Sequence, residues 1–194
     1  MATYSDNFDR ANGDIGAGWV EDAGDIDIVS NKAESQTASQ WNRARYNSAL
    51  DSPNHYVQAT IGGRATSNDG NINARQASST QTFYSLEYLE SDGRVWRLQR
   101  LVAGSETELD SYTHSAGGAQ VAKITVNGAS QIADVGAVTG AMDAADTVIT
   151  AGTYAGISAY HNNGGRWDDW SAADLAAGGL KIPVAMRNYR NLRS

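Results

Sequence analysis

The sequence predicts an all-β chain: an antiparallel, two-sheet jelly-roll sandwich over residues 1–176, followed by a short C-terminal arm at 177–194. Three observations predict it. Many segments alternate apolar and polar residues with a period of two, the pattern of strands with one face on a core. Turn signals separate these segments at a spacing near ten residues, giving about a dozen strands. The 194 residues include twenty glycines but two prolines, and long helical periods are few.

In chain order, the first alternating run is Tyr56–Ile61, with Val57, Ala59 and Ile61 on one face. Tyr84, Leu86 and Tyr88 share a face, with Ser85 and Glu87 on the other. Ala122, Ile124 and Val126 oppose Val121, Lys123 and Thr125, and Ala155, Ile157 and Ala159 alternate with Tyr154, Ser158 and Tyr160. Between the runs stand Asn12-Gly13, Ser67–Gly70, Ser91-Asp92-Gly93, Asn127-Gly128 and Asn162–Gly165, which tolerate positive φ. Ser91-Asp92-Gly93 and Asn127-Gly128 each read as the tip of a hairpin. Gly136–Asp146 is small and apolar, and reads as a short helical turn across one end of the sandwich.

A chain of this length fits one domain and buries roughly 70% of its unfolded surface. There are no cysteines, so no disulfide framework and no thiolate zinc site. Met1-Ala2-Thr3-Tyr4 has neither a basic nor an apolar export segment, and no run of 18 apolar residues suggests a membrane span. The arm carries Lys181, Arg187, Arg190 and Arg193 and no acid, so +4 of a net −7 leaves −11 on residues 1–176. An acidic body argues against nucleic acid as a partner. A basic arm on that body is a docking element. Its apolar residues Ile182, Val184, Met186, Tyr189 and Leu192 need cover, and Pro183 favours an extended start. Ala176–Gly179 reads as the boundary, with the paired glycines as a hinge.

Candidate chemistry is sparse. Asp25-Ile26-Asp27 and Glu106-Thr107-Glu108 have the i, i+2 spacing that puts two carboxylates on one strand face, and Glu87 and Glu90 lie three apart. Solvated strand acids paired with arginines account for them as well. His55, His114 and His161 have no companions at metal spacing and read as surface residues. Asp6, Asp168 and Asp169 could gather where the termini meet and hold calcium, the one cofactor the acids suggest. Trp41, Arg43 and Arg45 share a face and could stack on and hydrogen-bond a sugar. Arg94, Trp96, Leu98 and Arg100 share another; there the two apolar residues are expected in the core and the arginines on Glu87 and Glu90.

The opening Asp6-Asn7-Phe8-Asp9-Arg10-Ala11-Asn12-Gly13, with Gly18-Trp19 after it, resembles the D-x-F-x-R-A-x-G start of concanavalin-A-like (laminin-G-like) jelly-roll domains. Ile15 stands where leucine is commoner. Thr82–Leu86 and Trp96–Arg100 look like the family's central hairpin, and Ala155-Gly156-Ile157 with Trp167–Trp170 like its closing strands. The jelly-roll glucanases of this fold carry Glu-x-Asp-x-x-Glu; here Asp25-Ile26-Asp27-Ile28-Val29-Ser30 lacks the final glutamate, so the chain is read as non-enzymatic.

Such domains recur in tailed-bacteriophage particles. The resemblance implies a virion structural protein assembled in the host cytoplasm: a capsid decoration or minor head protein. Its arm, through Lys181, Ile182, Pro183, Val184, Met186, Arg187, Tyr189, Arg190, Leu192 and Arg193, would dock on the major capsid protein or other virion proteins. A symmetric homo-oligomer, for instance a trimer on a capsid axis, fits that role. The alternative is a lectin-like module that attaches to host or surface glycans, including a tail-associated adhesin.

Overall fold

A computed structural model of the chain describes residues 1–63, 69–89, 93, 95–114, 118–160 and 165–176. Every element among them is a strand, and all strand pairs are antiparallel. One sheet runs, edge to edge, β14 (Val138–Ala145), β13 (Ser130–Val135), β12 (Gln120–Asn127), β7 (His55–Gly63), β16 (Gly165–Asp174), β5 (Ala33–Ser35), β4 (Ile26–Ile28) and β2 (Gly13–Asp14), with β1 (Thr3–Asp6) also on β16. The other runs β11 (Ser105–Thr113), β10 (Val95–Val102), β9 (Phe83–Leu89), β8 (Asp69–Gln76), β15 (Tyr154–Tyr160), β6 (Trp41–Tyr46) and β3 (Trp19–Ala23). The expected two-sheet sandwich is the observed one.

Alternation fills the core from both sheets. Val57, Ala59, Ile61, Ala122, Ile124, Val126 and Trp167 from the first sheet pack with Ala44, Ile72, Leu86, Leu98 and Ile157 from the second, all buried. The strand pairings of both predicted hairpins form: Leu89 pairs with Val95, and Asn127 with Ser130 around Gly128; Ser91 and Asp92 lie outside the described residues.

The two ends of the domain meet on β16, where Tyr4 pairs with Ala172 and Asp6 with Trp170. The opening motif builds the seam. Asp6 accepts from the Phe8 amide at 2.8 Å, from Trp19 Nε1 at 2.8 Å, and from both Arg10 terminal nitrogens at 2.7 and 2.9 Å. Burial pushes the Asp6 carboxyl up, but the Arg10, Trp19 and Phe8 bonds outweigh it and hold the group below the usual carboxylate range. Phe8, turned inward at φ 53°, packs on Trp19 with ring centres 5.7 Å apart, and Trp19 meets Trp170 at 4.8 Å. Asp174 completes the join by accepting from the amides of Ala2, Asp51 and Ser52.

A buried polar lock closes one end of the sandwich. His55, expected at the surface, is fully buried. Its Nε2 accepts the Arg75 amide at 3.0 Å, so Nδ1 carries the proton and donates to the Ser52 carbonyl, also at 3.0 Å. Burial lowers its pKa to about 4. Arg75, at φ 51°, donates to the carbonyls of Pro53 and Ile149 and to Asn54 Oδ1. Tyr84 donates to Asp146 at 2.6 Å and accepts the Ile149 amide; burial and that carboxylate push the phenol up to about 12. Arg100 pairs with Asp146. The sequence put Arg100 on the hairpin glutamates, but its strand face turns toward the sandwich end instead. Gly152, at φ +103°, lets the chain cross here, since a Cβ would stand 2.3 Å from the Arg75 carbonyl.

Gly136–Asp146 is not helical. Gly136 and Gly140, at φ +58° and +61°, suit a tight turn and a kinked strand, and 138–145 form β14 on β13. Small residues satisfy either pattern; the two left-handed glycines decide for the strand. Residues 177–194, the whole arm with Lys181, Ile182, Pro183, Val184, Met186, Arg187, Tyr189, Arg190, Leu192 and Arg193, lie outside the described residues. So do Glu90, Arg94, His161 and parts of the Ser67–Gly70 and Asn162–Gly165 turns.

Candidate functional site

The seven-stranded sheet has a second face, turned away from the core, and it carries two rows of hydrogen-bonding side chains. Register aligns Arg43 of β6, Ser158 of β15, Asn71 of β8, Glu87 of β9 and Arg97 of β10 in one row. The neighbouring row is Arg45, Gly156, Asn73, Ser85 and Gln99 on the same strands. Five strands at a spacing near 4.8 Å make each row roughly 19 Å long, and the rows lie about 7 Å apart.

Apolar residues border the strip on both sides. Trp41, Tyr160 and Leu89 flank the first row, and Trp41 meets Tyr160 edge-on at 5.7 Å. Phe83 and Leu101 pair beside the second. Phe83, Leu89 and Leu101 are buried yet stand outside the continuous core. The structure therefore confirms the shared face of Trp41, Arg43 and Arg45 and extends it across four further strands.

At one end of the strip two arginines share one carboxylate, though Arg43 Nε makes no hydrogen bond. A bulge in β3 sets Asp22 between the two arginines, 3.2 Å from Arg45 Nε and 3.8 Å from Arg43 Nε. Burial lowers the Arg43 pKa, Asp22 opposes this and Arg45 adds to it. Arg45 also lies over the Tyr154 ring at 4.6 Å. Gly156 leaves room for Gln76, which donates to Asp22 at 3.0 Å.

The middle of the strip is different. Asn71, Asn73, Ser85 and Ser158 are fully buried, Gln99 is 4% exposed and Glu87 7%. Asn73 and Ser158 bond each other, and Gln99 Nε2 donates to Glu87 at 2.7 Å. But both amide atoms of Asn71, the Ser85 hydroxyl and the Gln99 carbonyl have no hydrogen-bond partner. Buried polar atoms without partners are rare and costly, on the order of 1–3 kcal/mol each. With Arg43 Nε, five such atoms lie on this one face.

The carboxylates expected to hold calcium do not converge. Asp6 is clamped by Arg10 and Trp19, and Asp168 pairs with Lys32 on the outer face of the nine-stranded sheet. Asp169, in the β16 bulge, shares with Asp6 an open depression of about 470 Å³ that also touches Ser5, Asn7, Trp170 and Ser171. Among the described residues no three acid or histidine side chains gather. The bulge explains it: one extra residue turns Asp168 and Asp169 to different neighbours.

The other acid pairs lie elsewhere on the sandwich. Glu21, Asp14, Asp25 and Asp27 crowd together; burial first, then their mutual repulsion, raises Glu21 and Asp27. Glu106 and Glu108 are exposed on the edge strand β11, with Glu108 3.3 Å from Arg97.

Sequence reasoning missed Asn71, Asn73, Ser85, Gln99 and Ser158. The signal was present as polar residues alternating with Ile72, Ala74 and Leu86. It read as a wet face, because nothing in alternation distinguishes an outward polar residue from a covered one.

No family model and no curated protein matches the sequence. Solved structures do match. A carbohydrate binding module, CBM66 from Bacillus subtilis, is 12% identical with a TM-score of 0.61, over 81% of this chain and 92% of that one. The VIP36 exoplasmic/lumenal domain, in a form bound to Ca2+ and Man3GlcNAc, is 10% identical at 0.60, over 86% and 90%. A prokaryotic β-1,3-1,4-glucanase (lichenase) from a mouse hindgut metagenome is 8% identical at 0.65, over 91% and 100%. These likenesses establish the concanavalin-A-like jelly-roll fold, which carries both lectins and hydrolases.

Proposed function

We propose that the chain is a carbohydrate-binding module whose binding face is the polar strip on the seven-stranded sheet. The observation that carries this is the set of unpartnered amide and hydroxyl groups of Asn71, Ser85 and Gln99 between borders of aromatic and aliphatic residues. A sugar presents the complement: hydroxyls that donate and accept, and C–H faces that lie on rings. The strip's cations, Arg43, Arg45 and Arg97, are matched by Asp22, Glu87 and Glu108, which favours a neutral glycan. Two of the fold neighbours are a carbohydrate binding module and a domain bound to Man3GlcNAc, which supports the reading by analogy.

Binding is favoured over cleavage. Retaining hydrolysis needs a free acid and a nucleophile roughly 5–5.5 Å apart. Here Asp22 is held by Arg45 and Gln76, Glu108 lies on Arg97, and Glu87 accepts from Gln99. Titration calorimetry against mannose-type oligosaccharides, fructans and mixed-linkage β-glucans is the test. One ligand class should bind, Asn71→Ala and Trp41→Ala should each weaken it at least tenfold, and no reducing ends should appear. No binding anywhere in the panel, or binding untouched by both substitutions, would remove the proposal.

A second reading keeps the module on a virion, as a head decoration or tail-associated adhesin, with residues 177–194 as the anchor. The opening Asp6–Gly13 motif and the basic arm on an acidic body support it. Particles lacking the protein should recapture the full chain but not one with Arg187, Arg190 and Arg193 replaced by alanine.

A further inference from the structure

The lock at the end of the sandwich has complete hydrogen bonds but an incomplete charge balance. None of the polar atoms of His55, Arg75, Tyr84 or Asp146 is orphaned. Yet Arg75, 2% exposed, donates to three uncharged oxygens: the Pro53 and Ile149 carbonyls and Asn54 Oδ1. Among the described residues no carboxylate forms an ion pair with it. A buried cation without a countercharge is unfavourable, because burial strips its hydration and nothing of opposite sign offsets the loss.

The surrounding groups do not supply the missing charge. His55, on the Arg75 amide, is neutral at ordinary pH, its pKa lowered to about 4. Tyr84, whose ring centre lies 5.9 Å from the guanidinium carbon, keeps its proton, its pKa pushed up to about 12. Asp146 is held by Arg100, the Tyr84 hydroxyl and the Val148 amide. Asp174, paired with His55 across the sheet, accepts the amides of Ala2, Asp51 and Ser52. Arg75, Arg100 and Asp146 together therefore leave one positive charge in excess.

Arg75 also forms part of the wall of a cavity of about 280 Å³, together with Pro53, Ala129, Thr147 and Thr150 among others. Ala129, Thr147 and Thr150 are exposed, so the cavity opens to solvent. A liquid water takes roughly 30 Å³, so the space accommodates a molecule of several heavy atoms. A guanidinium carries five N–H groups, and Arg75 uses three, so Nη1 and Nη2 each keep one. With two threonine hydroxyls, these are donors suited to the two oxygens of a carboxylate. Pro53, Ala129 and the threonine methyls suit a short carbon chain behind it.

We propose that this cavity binds a small organic monocarboxylate, with the Arg75 guanidinium as its counterion and the Thr147 and Thr150 hydroxyls bonding its oxygens. The excess is a single charge, which favours a monoanion over a phosphate or sulfate dianion. None of these residues belongs to the polar strip, so the site stands whether or not the strip binds a glycan.

The test is a titration of the full, nitrogen-labelled chain with sodium propionate or sodium lactate at neutral pH, followed by heteronuclear NMR. Sodium chloride at the same ionic strength is the control. Either carboxylate should shift the Arg75 Nε–H signal and the amides of Ala129, Thr147 and Thr150 saturably. The expected Kd is on the order of 1 mM, the scale for a ligand of five or six heavy atoms. Sodium sulfate should bind more weakly, and equal or tighter sulfate binding would overturn the monocarboxylate assignment. Thr147→Val with Thr150→Val, at exposed positions, should weaken binding at least about fivefold while leaving the melting temperature unchanged. Arg75→Met should abolish the shifts; because that change also loosens the lock, the threonine pair decides the matter if the arginine variant does not fold. Shifts that rise without saturating, that chloride reproduces, or that fall elsewhere on the chain would overturn the site. So would carboxylate binding untouched by the threonine pair.

Discussion

Two buried polar regions of this molecule have opposite character. In the lock around His55, Arg75, Tyr84 and Asp146, the groups find partners: imidazole to amide, guanidinium to three oxygens, phenol to carboxylate. In the strip, both amide atoms of Asn71, the Ser85 hydroxyl and the Gln99 carbonyl do not. The difference separates the scaffold from the face proposed to bind. A saturated network is stable in itself and fixes one arrangement. An unsaturated one of similar burial costs stability, and it persists where another molecule or segment supplies the missing bonds.

The sharpest way to break the comparison is at Arg75. Arg75→Met keeps most of the volume but leaves the Pro53 and Ile149 carbonyls without its donors, while Asn54 Oδ1 keeps the Gly128 amide. The expected loss is about 4 kcal/mol in urea unfolding at neutral pH. A loss below about 1 kcal/mol would mean that the lock is not the rigid half of the pair.

His55 gives the next largest effect through pH. Burial disfavours the charged ring, and an Nε2 proton would meet the Arg75 amide, so the folded pKa stands near 4 rather than 6.5. The unfolded chain takes up the proton first. This stability is therefore full above about pH 6.5, falls as pH drops toward 4, and flattens below. The total is on the order of 3 kcal/mol. Unfolding of the native chain and of His55→Gln at several pH values should show the slope in the first and its loss in the second.

Asp6→Asn tests the seam at a smaller scale. Arg10 would lose its charged partner while Trp19 and Phe8 kept an acceptor, so a cost of about 2 kcal/mol is expected, read as a lowered melting temperature. Because bonds hold Asp6 below the usual carboxylate range, its contribution should survive to about pH 4 and then fade as the group protonates.

The smallest expected effect is at Ser85, where the comparison predicts a reversed sign. Ser85→Ala deletes a buried hydroxyl that bonds nothing, so stability should be unchanged or rise by up to about 1 kcal/mol. Glycan affinity should fall in the same variant. A clear loss of stability would place Ser85 with the scaffold.

Much of the fold was legible in residue order. Alternation in Tyr56–Ile61, Phe83–Leu89 and Tyr154–Tyr160 identified the core faces, because a strand's side-chain period admits only one inward set. The Asp6–Gly13 motif and Trp167–Trp170 were correctly joined as two ends of one seam. The site was half legible. Trp41, Arg43 and Arg45 were read as a shared face that could contact a sugar, since they lie on a single strand. Asn71, Ser85 and Gln99 were not, since they belong together only through the register of three strands. His55 was misread as a surface residue because its partners, Ser52 and the Arg75 amide, come from a loop and another strand.

By itself, then, the sequence determined the strand content, the inward face of each strand and the charge contrast between body and arm. These follow from local periodicity and composition. The tertiary structure alone decided which polar residues are saturated and which are left wanting. Satisfaction is a property of pairs brought together across the sheets, and no single strand carries it. That is why Glu34 and Asn42 are held in place while Asn71, equally buried and equally polar, waits for a partner.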